Sequence, residues 1–267
     1  MDMNWAKLVA DLERLLKLRN PPFAMKLFER VADMEAIPRI RRPKVVHAFD
    51  QVVAQAARLG WTVGVTAQDL VGAQCRAVIG LGNAKDDEWK SGQRMVGVWY
   101  STPQDAGAHQ AAMNCVDDGT YEAIVVSPLG SGRLDQPDIA LFYATPGAMM
   151  YFINGLQWSG YKRFDWSVVG ESACADSWGR ALKTRQPSLS IPCFADAHGT
   201  VRAPGIVATV YTVNQDADLW HVLYAWHYRG GLYTVSQHVA APLSYDQVLS
   251  SLNRILRNLV LVQPRVG

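Results

Sequence analysis

Cys193, Asp196 and His198 stand within six positions of one another in the stretch CFADAH. A thiol needs a base to become a thiolate, and a base needs a partner to fix its tautomer. The three side chains therefore have the types of a nucleophile, an orienting carboxylate and a base. The competing reading is a core cysteine closing a strand, with Asp196 and His198 in a solvated turn that Gly199 permits. Adjacency in sequence is not geometry, and triad members usually converge from distant segments, which favours the turn.

Other groups could share such chemistry. If VVHAFDQVVAQAARLG is helical over 45–59, His47, Asp50 and Gln51 at i, i+3 and i+4 lie on one polar strip. Lining a cavity, a carboxylate-steadied His47 is a general base; facing solvent, it is an ordinary polar strip. Lys26 sits in FAMKLFE, where strand alternation puts Ala24, Lys26 and Phe28 on one face. It is either a holder of a carboxylate or phenolate, or a surface lysine on an edge strand. Glu171 precedes Ser172, which reads as the cap of a helix over SACADSWGRALK. A working set follows: His47 or His198 removes a proton, Glu171 or Asp196 orients or returns it, and Lys26 stabilises developing negative charge.

Two further stretches carry less. PLGSGR at 128–133 offers Arg133 to an anion, but it is neither a Walker loop nor a GxGxxG fingerprint, and a tight strand-exit turn explains it better. His221, His227 and His238 lie among Trp220, Tyr224, Trp226, Tyr228 and Tyr233, at spacings looser than a paired-histidine metal site prefers. That aromatic density suits a pocket for a flat substrate and a large β core equally.

The elements that must position these residues alternate in type. An amphipathic helix is expected from Trp5, Leu8, Val9, Leu12, Leu15 and Leu16, then strands at FAMKLFE and WTVGV around the 45–59 helix, whose C-cap is Gly60. EAIVVSPLG and PDIALFYATP read as strands, PGAMMYFINGLQWSG as a helix, FDWSVVG as a strand, SACADSWGRALK as a helix and SLSIPCF as a strand. GIVATVYTV, LWHVLYAWHY and LYTVSQHV read as strands with a turn at RGG, and YDQVLSSLNRILRNLV as a closing helix. The expected fold is α/β or α+β, a mixed sheet flanked by helices, forming a single unit over 1–267 of one body or two close lobes.

Composition bounds the function. A chain of 267 residues with 49% hydrophobic and 19% charged residues can bury a large core. A formal charge of +2 gives no surplus for nucleic acid. The N-terminal segment has no apolar run of the signal-peptide kind. ALFYATPGAMMYFI falls short of a membrane span. A cytoplasmic protein is expected, with no nucleic-acid or membrane partner and no cofactor. Its four scattered cysteines should be free thiols, and a homo-oligomer stays open.

The order of PPFAMKLFE, VVHAF, IVVSPLG, QPDIALFYATPGAMMYFING, VGESACAD and LSIPCFADAHG resembles domain-of-unknown-function family 169 over most of the chain. The resemblance implies a soluble prokaryotic protein. Cys174 and Cys193 fit the family pattern, whereas His47 stands where a cysteine is usual, and Asp196 and His198 where glycine and arginine are frequent. A cysteine-ligated cluster would therefore lack a ligand here.

The functional expectation is a cofactor-independent, lyase-type general acid/base enzyme acting on a small aromatic molecule. The alternative is a metal- or ligand-binding protein using Cys174, Cys193 and nearby histidines.

Overall fold

The alternation in FAMKLF is realised as β1 (Phe23–Phe28), whose Phe23, Met25 and Leu27 enter one core while Ala24 and Phe28 enter another. A period of two puts neighbouring side chains on opposite faces, so this strand divides the molecule into two apolar layers. The computed structural model describes residues 4–18, 20–144, 152–155, 161, 163, 172–185, 188–190, 220–227 and 232–239.

Around β1 the sheet runs β2 (Val63–Thr66), β3 (Ala123–Pro128), β1, β4 (Ile139–Ala144), and continues through β6 (Trp220–His227), β5 (Ser188–Ser190) and β7 (Leu232–Val239). Every ladder among β1 to β4 is antiparallel, with Lys26 opposite Val125 and Met25 opposite Ile139. β6 and β7 pair antiparallel from Trp220 and Val239 to His227 and Leu232, the hairpin register that RGG suggests. A parallel pairing occurs only between Ser190 and Ser236 among the described ladders. The class is mixed α and β.

One face is covered by α1 (Trp5–Leu16) and α2 (Val31–Glu35). α1 is capped by Asn4, which accepts from Lys7 N at 3.0 Å, and lays Trp5 and Val9 on a cluster of Ala24, Met34, Val125 and Leu129. The larger core lies on the other face, where α3 (Phe49–Leu59), α4 (Gln74–Ile79) and the segment after Ser172 pack against Met25, Val63, Ile124, Val126 and Leu141. α3 ends as expected at Gly60, left-handed at φ 68°. It begins at Phe49, four residues later than the periodicity suggests. Residues before it pair instead in extended form, with His47 bridging Leu70.

α5 (Asp87–Ser91) and α6 (Pro103–Ala112) complete the layer above α4. Beyond Ser172 the chain is helical, with a π-helical turn at Ala175–Gly179 running into α7 (Arg180–Thr184). Cys75, Cys115 and Cys174 are free thiols. Among the described residues, no helix is long and apolar enough to cross a membrane.

Candidate functional site

A set of polar side chains is buried where α4, α5, α6 and Ser172 meet. Asp86 caps α5 by accepting from Trp89 N at 2.7 Å, which fixes Trp89 in the first turn. Gly92 ends α5 at φ 65°, so close to α6 that a Cβ would meet Ala106 C and O at 2.5 Å. Only glycine allows both that conformation and that approach. Thr102 caps α6 with Pro103 at its first position. Ala106, His109 and Gln110, at i, i+3 and i+4, then share the buried face of α6.

The hydrogen bonds of this set orient one another. The Trp89 indole can only donate, and it donates to Gln74 Oε1 at 2.9 Å. Gln74 Nε2 must therefore be the other end of that amide, giving to Ser172 Oγ at 2.6 Å and Gln110 Oε1 at 3.1 Å. Gln110 Nε2 returns bonds to Gln74 Oε1 at 3.2 Å and Trp89 O at 3.0 Å. Ser172 Oγ, which accepts from Gln74, also pairs with His109 Nε2 at 3.2 Å. On the other side of the ring, His109 Nδ1 pairs with Tyr100 Oη at 2.8 Å.

Burial lowers the His109 pKa, since a charged imidazolium would lose its water. At neutral pH the ring is therefore neutral. Ser172 itself is 1% exposed and adopts φ 67°. A left-handed backbone is unfavourable for a residue with a Cβ, and it occurs here immediately before a helix that contains a π turn.

In front of this network lies a cleft of about 170 Å³ walled by Gly72, Ala73, Trp89, Gly92 and Met95, with Gln74 and Gln110 at its back. A cavity of about 150 Å³ accommodates benzene, so the space suits one flat ring. Arg94 stands on its rim, forked onto Glu88 by bonds of 2.8 and 2.6 Å.

A second polar group lies at the start of α3. Asp50 is 7% exposed and Gln51 2%; Asp50 Oδ2 and Gln51 Nε2 have no hydrogen-bond partner, and neither does Trp178 Nε1. Desolvation pushes the Asp50 pKa up to about 6, against the weaker effect of its own backbone N–H.

The residues anticipated from sequence fall in different places. His47 does not share a helical strip with Asp50 and Gln51, because α3 starts two residues after it; His47 Nδ1 instead bonds to Val45 O at 2.6 Å. Lys26 is partly buried with a partner, donating to Asp135 O at 2.5 Å, 6.0 Å from the Phe28 ring. It alternates with Met25 and Leu27, so the sheet separates it from the core face carrying Trp89 and Cys174. No described contact joins Lys26 to His47. Glu171, Asp196, His198 and Cys193 lie outside the described residues. Cys174 is 3% exposed within the larger core. Arg133 and the PLGSGR turn form a strand exit, in which Ser131, Ser127 and Thr62 hydrogen-bond in series.

Sequence reasoning missed Gln74, Tyr100, His109 and Gln110, and took Ser172 only as a cap. The usable signal was Ala106, His109 and Gln110 on one face of a helix opened by Thr102 and Pro103.

No curated protein and no solved structure matches the chain. The family model described as uncharacterised ArCR, domain of unknown function 169, matches residues 11–209, a span that includes Gln74, His109 and Ser172. Since that match covers well over half of the sequence, the chain belongs to the uncharacterised ArCR family, domain of unknown function 169.

Proposed function

We propose that this protein is a small-molecule enzyme that uses general acid/base chemistry on a flat, aromatic substrate, in a lyase-type cleavage without a nucleotide cofactor. The carrying observation is the bond order Tyr100, His109, Ser172, Gln74 behind an apolar cleft of single-ring size. His109 takes the base role that sequence alone assigned to His47 or His198. With its hydrogen on Nδ1, the neutral imidazole is ready to accept a proton at Nε2, and Tyr100 keeps the ring oriented. Trp89 and Met95 supply the faces for a ring, and the Gln74 and Gln110 amides supply polar groups at its edge. Lys26, Glu171, Asp196 and His198 are not needed for this step.

The test is an NMR titration of the full chain with simple phenols and benzoates. The Trp89 indole N–H resonance, identified by its loss in Trp89→Phe, should shift on addition of a ring that fits. His109 should titrate below 6.5, and His109→Gln should slow turnover of any probe that is cleaved by about 100-fold or more. An unresponsive Trp89 together with a His109 that titrates at its ordinary value would remove the reading.

A further inference from the structure

We infer that Ser172 is a nucleophile, and that the site can carry out acyl transfer from small aromatic esters or thioesters through a covalent acyl-serine. The inference rests on His109 acting as the base and adds a covalent step to that reading.

Three independent features converge on this hydroxyl. The first is hydrogen-bond direction. The donor-only indole of Trp89 pins the Gln74 amide, which leaves Ser172 Oγ accepting from Gln74 at 2.6 Å and free to give its proton to His109 Nε2 at 3.2 Å. In the tautomer with its hydrogen on Nδ1, His109 accepts the Ser172 proton, and a nucleophile requires its proton to point at a base. The second is the backbone. Ser172 adopts φ 67° immediately before a helix. Backbone strain of this kind persists where the surroundings over-determine it and clusters at active sites. The third is access. Gln74 both walls the cleft and touches Ser172, so the hydroxyl lies one amide behind the space for a ring.

The step balances without an external oxidant or reductant. Ser172 Oγ bonds to the carbonyl carbon as its proton passes to His109 Nε2. The bond from that carbon to the leaving oxygen or sulfur breaks, and the leaving group takes the proton from His109. Water then attacks the acyl-serine with His109 again as base, releasing the carboxylic acid and restoring the Ser172 hydroxyl. Tyr100 reaches the site through the imidazole and is a positioning residue.

The experiment exposes the full chain to phenylmethanesulfonyl fluoride and to the smaller methanesulfonyl fluoride, with intact mass and peptide mapping as the readout. Both reagents sulfonylate an activated serine with loss of fluoride. The expected result is a single adduct on Ser172, formed at least about 100-fold more slowly in His109→Gln, and about 10-fold more slowly in Tyr100→Phe. Ser172→Gly, which suits the left-handed backbone, should fold as the parent does and take no adduct. Absence of an adduct with both reagents overturns the inference, as does an adduct whose rate ignores His109→Gln. If Trp89 still responds to phenols and His109 still titrates low while Ser172 stays unmodified, the nucleophile falls and the acid/base reading stands.

Discussion

The two buried polar groups on the larger core's side of the sheet are built in opposite ways. Around Gln74 the side-chain amides, the indole, the imidazole and the serine are all hydrogen-bonded, and the amide directions follow from the donor-only indole. At the start of α3, Asp50 Oδ2 and Gln51 Nε2 are as deeply buried but unpaired. A satisfied network fixes one arrangement of protons, whereas an unpaired buried carboxyl carries the full desolvation cost of its charge. The first arrangement holds a neutral imidazole between two hydroxyls, and the second makes a group whose charge depends on pH.

Breaking the satisfied network should have the largest effect. Gln74→Leu leaves the Trp89 indole without its acceptor and removes one partner of the Gln110 amide. The expected loss is about 3 kcal/mol or more, read from denaturant midpoints. Gln74→Glu sharpens the result. The carboxylate can still accept from Trp89, but it can no longer donate to Ser172 and instead competes for the serine's proton. Sulfonylation of Ser172 should then fall even where the fold survives. Parent-like midpoints in Gln74→Leu would mean that the network contributes nothing to stability.

The unpaired group predicts a pH effect of definite sign. In the unfolded chain Asp50 ionises near 3.8, and in the folded chain near about 6. Well below pH 3.8 both forms are protonated and no cost arises. As pH rises through about 4 to 6, the unfolded chain gains its charge first, so stability falls, and the loss is complete above the folded value. The magnitude is on the order of 3 kcal/mol. Asp50→Asn should abolish that dependence, so its stability relative to the parent should rise across the same window and level off near pH 7. Parallel stability curves for parent and variant from pH 4 to 7 would show that Asp50 is solvated or paired.

How far the sequence disclosed this arrangement depended on the type of signal. β1, β3 and β4 were legible because their apolar residues alternate or run continuously between turn residues, and α3 because its apolar stripe ends at Gly60. The onset of α3 was misplaced because Val45 and Val46 extend the helical spacing, whereas His47 is held extended by bonds to Asp69 and Val71 that are remote in sequence. The site was hidden for a related reason. Gln74, His109 and Ser172 are separated by more than thirty residues at each step, and short helices with few apolar residues leave no strong periodicity. An imidazole beside a carboxylate in sequence drew attention to His47 and His198, yet the described base is oriented by a tyrosine and a serine that no local pattern links to it.

The smallest expected effect tests the separation of the two faces. Lys26 is the cation that sequence reasoning placed beside developing negative charge, but its ammonium donates to Asp135 O on the side of the sheet shared with Ala24 and Phe28. Trp89 belongs to the core on the opposite side, together with Met25 and Leu27. A charge there acts on the cleft only through the sheet, and it is partly exposed to solvent that screens it. Lys26→Met preserves the aliphatic stem and removes the ammonium. Ring binding at Trp89, the titration of His109 and the sulfonylation rate of Ser172 should all remain within about twofold of the parent. A tenfold loss in any of them would place Lys26 in functional contact with the cleft and erase the distinction between the two faces.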